Sequence, residues 1–163
     1  MNEYACGALR FTKLLAIVLL LGSSAISAQT PQEHVHRMAH HVMPFAMSKT
    51  VHVFRMTESG GVQKVVAKDA GATDQIKLIR QHLEYEAEKF QRGDYADPAM
   101  LHGSGMPGLD ELQAGASAIN VSYAEHPLGA EITFATTNLH LLTAIHRWFG
   151  AQLSEHGADA RAE

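Results

Sequence analysis

Thr50-Val51-His52-Val53-Phe54-Arg55-Met56 is followed by Glu58-Ser59-Gly60-Gly61 and then by Val62-Gln63-Lys64-Val65-Val66-Ala67-Lys68. Two runs rich in β-formers around a Gly-Gly turn signal predict a β-hairpin. Asp69 to Thr73 reads as a loop in which Thr73 or Asp74 can cap a helix. That helix is predicted over about Asp74 to Gln91. Ile76, Ile79, Leu83, Ala87 and Phe90 recur there at spacings of three and four, which makes one buried face, and Gly93 stops it.

The pattern then repeats. Ile119-Asn120-Val121-Ser122-Tyr123 and Ala130-Glu131-Ile132-Thr133-Phe134 alternate apolar with polar, and His126-Pro127-Leu128-Gly129 turns between them, so a second hairpin with one apolar face is predicted. Asn138 caps a helix from about Leu139 to Glu155, with Leu142, Ile145, Phe149 and Leu153 inward and Gly157 as its stop. Ile79-Arg80-Gln81-His82-Leu83 in the first helix has the texture of Ile145-His146-Arg147-Trp148-Phe149 in the second, a weak internal repeat. The order ββα, loop, ββα predicts an α+β two-layer sandwich: one four-stranded antiparallel sheet with both long helices on one face. Between the halves, residues 93–108 hold four Gly and two Pro and read as a loop. A short helical segment, Leu109 to Ala114, follows.

Outward from this domain, predicted over 49–157, lie three further segments. Residues 158–163 read as a frayed tail. Residues 29–48 read as a flexible His/Met-rich arm, bracketed by Pro31 and Pro44, with room for a helical turn or two but no strong amphipathic stripe. Residues 1–28 read as a secretory signal peptide: Arg10 and Lys13, the apolar run Leu14 to Leu21, then small residues to an exit after Ala28, or after Ser27. A product in the periplasm or secreted is therefore expected. The only cysteine, Cys6, belongs to the leader, so the exported chain would rely on packing rather than a disulfide.

Charge narrows the function classes. The whole chain carries 13 basic and 17 acidic residues, a formal charge of −4. A mildly acidic chain without a basic run is a poor nucleic-acid binder. No apolar segment after the leader approaches membrane-spanning length. Histidine is over-represented: eleven residues, all after the leader, alongside six of the seven methionines. His and Met without Cys suit copper or zinc.

Two histidine groups stand out. In the arm, His34, His36, His40 and His41 with Met38 have spacings that can share a helix face. In the domain, His102 sits in a Gly-rich stretch, His82 and His146 border the apolar stripes of the two helices, and His156 closes the second helix. Glu84, Glu86 and Glu88 read as a solvated helix face, with Glu86 one turn after His82 and able to orient it. Nucleophile elbows, the His-Glu-x-x-His zinc motif and the phosphate-binding loop are all missing from the sequence.

Val42-Met43-Pro44-Phe45, Thr50-Val51-His52-Val53-Phe54, Gly60-Gly61-Val62-Gln63, Leu101-His102-Gly103, Met106-Pro107-Gly108-Leu109, Trp148-Phe149-Gly150-Ala151-Gln152 and His156-Gly157 together carry a resemblance. Over most of residues 42–157 the chain is similar to a family of small, often exported bacterial proteins, commonly labelled aspartate carbamoyltransferase in genome listings. The resemblance implies a small exported protein and carries no catalytic residues with it. The transferase that the label names is a two-domain cytoplasmic enzyme of about 300 residues, two ordinary domains, and its Ser-Thr-Arg-Thr phosphate loop has no counterpart here.

Three functions remain. The first is an exported binding protein for copper or zinc, or for a small ligand. The second is an envelope interaction or structural domain with incidental histidines. The third is a small His-dependent hydrolase or transferase, for which no motif assigns a catalytic residue.

Overall fold

Strand β1 (Thr50–Thr57) returns as β2 (Gly60–Ala67), and β3 (Asn120–His126) returns as β4 (Gly129–Ala135), each pair antiparallel. The computed structural model describes residues 29–163; the leader expected over 1–28 lies outside the described residues. The turns themselves are Glu58-Ser59 and Pro127-Leu128, so the glycines after them serve another purpose. β2 and β4 pair antiparallel at the centre of the sheet, with Gln63 opposite Ile132. A Cβ on Gly60 would come within 2.0 Å of the Phe134 carbonyl oxygen, and one on Gly129 within 2.0 Å of the Val65 carbonyl oxygen. The two glycines let the hairpins seat against each other.

Helix α2 (Thr73–Gln91) follows the first hairpin and α5 (Leu139–His156) the second. Both bury their apolar stripes on the same face of the sheet: Phe90 from α2 and Trp148 and Phe149 from α5 all meet Phe134 of β4. Ile79, Leu83, Ile145, Val65 and Ile132 complete this core and are all buried. Asn138 caps α5, its side-chain oxygen accepting from the His140 and Leu141 amides. Each long helix clasps the turn of the other half. Arg80 of α2 donates to the Gly129 and His126 carbonyls, and His146 of α5 lies 2.9 Å from the Gly60 carbonyl and 3.1 Å from that of Thr57.

The architecture is mixed α+β, and it corrects the predicted sheet. The sheet has five strands in the order β3-β4-β2-β1-β5 and is not wholly antiparallel. The fifth, β5 (Ala160–Ala162), pairs parallel with β1, His52 opposite Ala160. The segment expected to fray is held by the Glu163 amide donating to the Phe54 carbonyl and by Lys64 reaching the Glu163 carboxylate at 3.0 Å.

Two further segments differ from expectation in the same way. The arm expected to be flexible contains α1 (Pro31–Val42), opened by a reciprocal cap between Thr30 and Glu33 with Pro31 in its first turn. It buries Val35 and Ala39. The expected loop contains α3 (Ala96–His102), started by the Asp94 carboxylate accepting from the Ala96 amide, and runs into α4 (Leu109–Gly115). α1 packs on α3 and α5, and together they close the end of the sandwich where His52 lies.

Candidate functional site: a polar cavity in the core

Inward positions on β1 alternate as Thr50, His52, Phe54, and on β2 as Gln63, Val65, Ala67. The alternation that buries Phe54 and Val65 therefore also carries His52 and Gln63 into the core. On α2, His82, Glu86 and Phe90 stand one helical turn apart on the side that carries Leu83. On α5, Trp148, Gln152 and His156 do the same beside Phe149. His102 arrives from the end of α3, and Met43 and Phe45 from the chain after α1. Of these, His52 and Gln63 from the sheet, His82, Glu86 and Phe90 from α2, Trp148, Gln152 and His156 from α5, and His102, Met43 and Phe45 line one cavity of about 40 Å³.

The repeat seen in the sequence organises this wall. The offset that matches Ile79 with Ile145 matches His82 with Trp148, Glu86 with Gln152 and Phe90 with His156. Equivalent positions of the two helices thus face each other across the cavity, above the Gln63–Ile132 pair where the two halves of the sheet meet.

The wall is polar and unsatisfied. Among the described residues, buried side-chain nitrogen or oxygen atoms without a protein hydrogen-bond partner fall on His52, Gln63, Glu86, Tyr95, His102, Trp148, Gln152 and His156. All but Tyr95 line this cavity. Leaving such a group unpaired costs about 1–3 kcal/mol each. Native cores hold few of them, so a cluster around one cavity points to a ligand or to ordered water.

Electrostatically, Asp97 is the one charged group of the wall. Burial, reinforced by neighbouring His82 and His102, lowers the pKa of His52 to about 3. Burial lowers His82 to about 4, against the pull of Asp97. It lowers His102 despite its Glu155 partner, and lowers His156 well below the usual value, with His52, His102 and His36 adding to the effect. All four imidazoles are therefore neutral near pH 7. Glu86 moves the other way: burial and then its hydrogen bond with Asp97 raise it to about 9, so it carries a proton at neutral pH. Burial also works upward on Asp97, but the hydrogen bond from Glu86 and the Lys89 ammonium, 2.8 Å away, hold it below the usual carboxylate value.

Two of the histidines read from the sequence, His102 and His156, come together with rings 5.0 Å apart, and His82 joins the same wall. His146 does not; its ring nitrogen serves the carbonyls of the first turn. Of the arm histidines, His36, His40 and His41 are exposed and His34 is half-buried. His36 pairs with Asp159 at 2.5 Å, His34 with Arg37 at 3.0 Å, and the His40 and His41 rings touch each other. Met38 packs partly buried against the core. Among the described residues no three His, Cys, Asp or Glu side chains stand already gathered to hold a metal ion.

Sequence reasoning missed His52, Gln63, Gln152 and the burial of Glu86. The solvated reading holds for Glu84 and Glu88, which are exposed, but Glu86 is buried. For His52 a signal existed: it sits between Thr50 and Phe54 on the inward parity of its strand.

Fold and cavity together define a class, an α+β sandwich built from two ββα halves with a polar cavity between their helices. No family model, no curated protein and no solved structure matches the chain.

Proposed function

We propose that this chain is a binding protein whose ligand is held in the cavity between α2, α3, α5 and the sheet. One observation carries the reading: unpaired polar atoms from the sheet and all three helices converge on a single buried space. No Ser, Thr, Cys or Lys nucleophile is among the cavity-lining residues. The wall offers lone pairs on imidazole and carboxamide, and N–H groups on Trp148 and Gln152. It suits a small ligand that needs no strong countercharge; of copper and zinc, the ions expected from the sequence, imidazole donors serve both. The leader expected from the sequence supports a site of action outside the cytoplasm, in keeping with the exported family that the chain resembles.

The test is non-denaturing mass spectrometry of the chain purified from its own host, beside Gln63→Leu and Gln152→Leu variants. A stoichiometric mass increment in the unmodified chain, lost in the variants, is expected. The bare polypeptide mass throughout, with ordered water meeting every unpaired atom in a high-resolution crystal structure, would overturn the reading and leave a structural domain with a hydrated core.

A further inference from the structure

We infer that the ligand is a soft monovalent metal ion, copper(I) by its chemistry, taken by the free ring nitrogens of His52, His102 and His156 with the Met43 thioether beside them. This rests on the cavity being a binding site. The His102 Nδ1 lies 2.7 Å from the Glu155 carboxylate. A carboxylate oxygen only accepts, so Nδ1 carries the proton and Nε2 keeps its lone pair. That Nε2 is buried and unpartnered, and His102 lines the cavity. A histidine tethered at one nitrogen by a carboxylate and free at the other is the usual arrangement of a metal-ligating imidazole.

His156 stands between two other rings, its centroid 4.6 Å from that of His52 and 5.0 Å from that of His102. The Nδ1 atoms of both His52 and His156 are buried and unpartnered. Met43 lines the same cavity and supplies a thioether. Imidazole with thioether favours a soft ion.

The donor set favours a monovalent ion: imidazole and thioether bring no negative charge of their own, and Asp97 is engaged by Lys89 at 2.8 Å, so a single positive charge is the least costly cation to place there. The donors are not gathered in advance: the His52 and His156 rings are stacked, 27° from parallel. Capture therefore requires these rings to turn into the cavity, which has room for an ion and little more.

The probe is silver(I), a redox-inert stand-in for copper(I), added as nitrate in chloride-free buffer to the full chain without a histidine tag and with Cys6→Ser, which removes its one thiol. Uptake is read by non-denaturing mass spectrometry and by imidazole ¹⁵N shifts. One ion per chain is expected, with shifts at His52, His102 and His156. His52→Gln with His156→Gln should weaken binding by about tenfold or more. Met43→Leu keeps the side-chain volume and the fold; it should weaken silver(I) binding too, and it decides the matter if the double variant does not fold. His40→Gln with His41→Gln should leave affinity unchanged. Affinity that follows this surface pair, or is indifferent to the cavity variants, overturns the inference, as does no uptake at micromolar silver(I). An organic ligand retained from the host overturns the metal inference alone and leaves the binding function standing.

Discussion

His102 and Glu155 join α3 to the last turn of α5 through a 2.7 Å contact between Nδ1 and a carboxylate oxygen, with the His102 side chain almost wholly buried. This contact fixes which ring nitrogen faces the cavity. In solution, ¹⁵N spectroscopy at neutral pH should find His102 protonated at Nδ1 and bare at Nε2. Glu155→Gln keeps an acceptor and should preserve that tautomer. Glu155→Leu strands a buried N–H and should cost about 1–3 kcal/mol of unfolding free energy. Protonation at Nε2 in the unmodified chain would remove the contact from any account of the site.

Acid stability follows from the buried imidazoles. His52 and His82 fall from the usual 6.5 to about 3 and about 4, and His102 and His156 are lowered as well. Below pH 6.5 the unfolded chain binds protons that the folded chain refuses. The stability from these groups is thus present above 6.5 and lost as pH falls toward 3. Each fully depressed group contributes a slope of about 1.4 kcal/mol per pH unit inside its window. Denaturant titrations at intervals from pH 7 to pH 4 should show a steep loss, shallower in His52→Gln. An unchanged slope in that variant would mean that His52 is not buried neutral.

Glu86 acts on the alkaline side with the opposite sign. Its carboxyl is raised from 4.5 to about 9, so between these values the folded chain holds a proton that the unfolded chain has released. Stability falls as pH rises through that window and levels off above about 9. Glu86→Gln removes the titration and keeps a donor for Asp97. It should be more stable than the unmodified chain at pH 8 and nearly level with it at pH 5. An equal difference at both pH values would place Glu86 outside the core.

The elements that fold on local rules were the legible ones. The alternation in both hairpins, the apolar stripe from Ile76 and the Asn138 cap follow from local pattern alone; the stripe expected from Leu142 is turned by one residue, with Leu141 buried and Leu142 and Leu153 only half-buried. α1 was harder to see because only Val35 and Ala39 are buried within it, and its stability comes from docking on α3 and α5. β5 is three residues long and pairs parallel with a strand far away in sequence, so nothing local announces it. The site was half visible for a related reason. The repeat of Ile79–Leu83 with Ile145–Phe149 marks both helix faces of the cavity, but reading Glu86 with its charged neighbours concealed that it lies one turn from Leu83 and Phe90 on the buried side.

Ile132 tests the facing of the sheet at the point where the halves meet. It is 1% exposed and sits opposite Gln63 in the central pairing. Ile132→Ala should cost about 2–5 kcal/mol through the lost transfer energy and the enlarged cavity. Thr133→Ala, on the other face of the same strand, should cost much less. Comparable losses would mean that both faces of the sheet are packed.

α1 shelters the cavity, and its attachment separates packing from charge. Val35 is fully buried against the domain, whereas the His36 side chain that meets Asp159 is 43% exposed. Asp159→Asn keeps an oxygen that accepts from His36 or Gln32, while truncating a buried Val leaves a cavity of its own. Val35→Ala should therefore loosen α1 far more than Asp159→Asn does. Met43 lines the cavity directly after the helix, so loosening α1 should expose the cavity wall. Hydrogen exchange of the α3 and α5 amides near His102 and His156 should accelerate in Val35→Ala, while exchange in the β2–β4 centre stays slow. Uniform acceleration across the sheet would show that α1 is an integral part of the folding unit rather than a cover over its site.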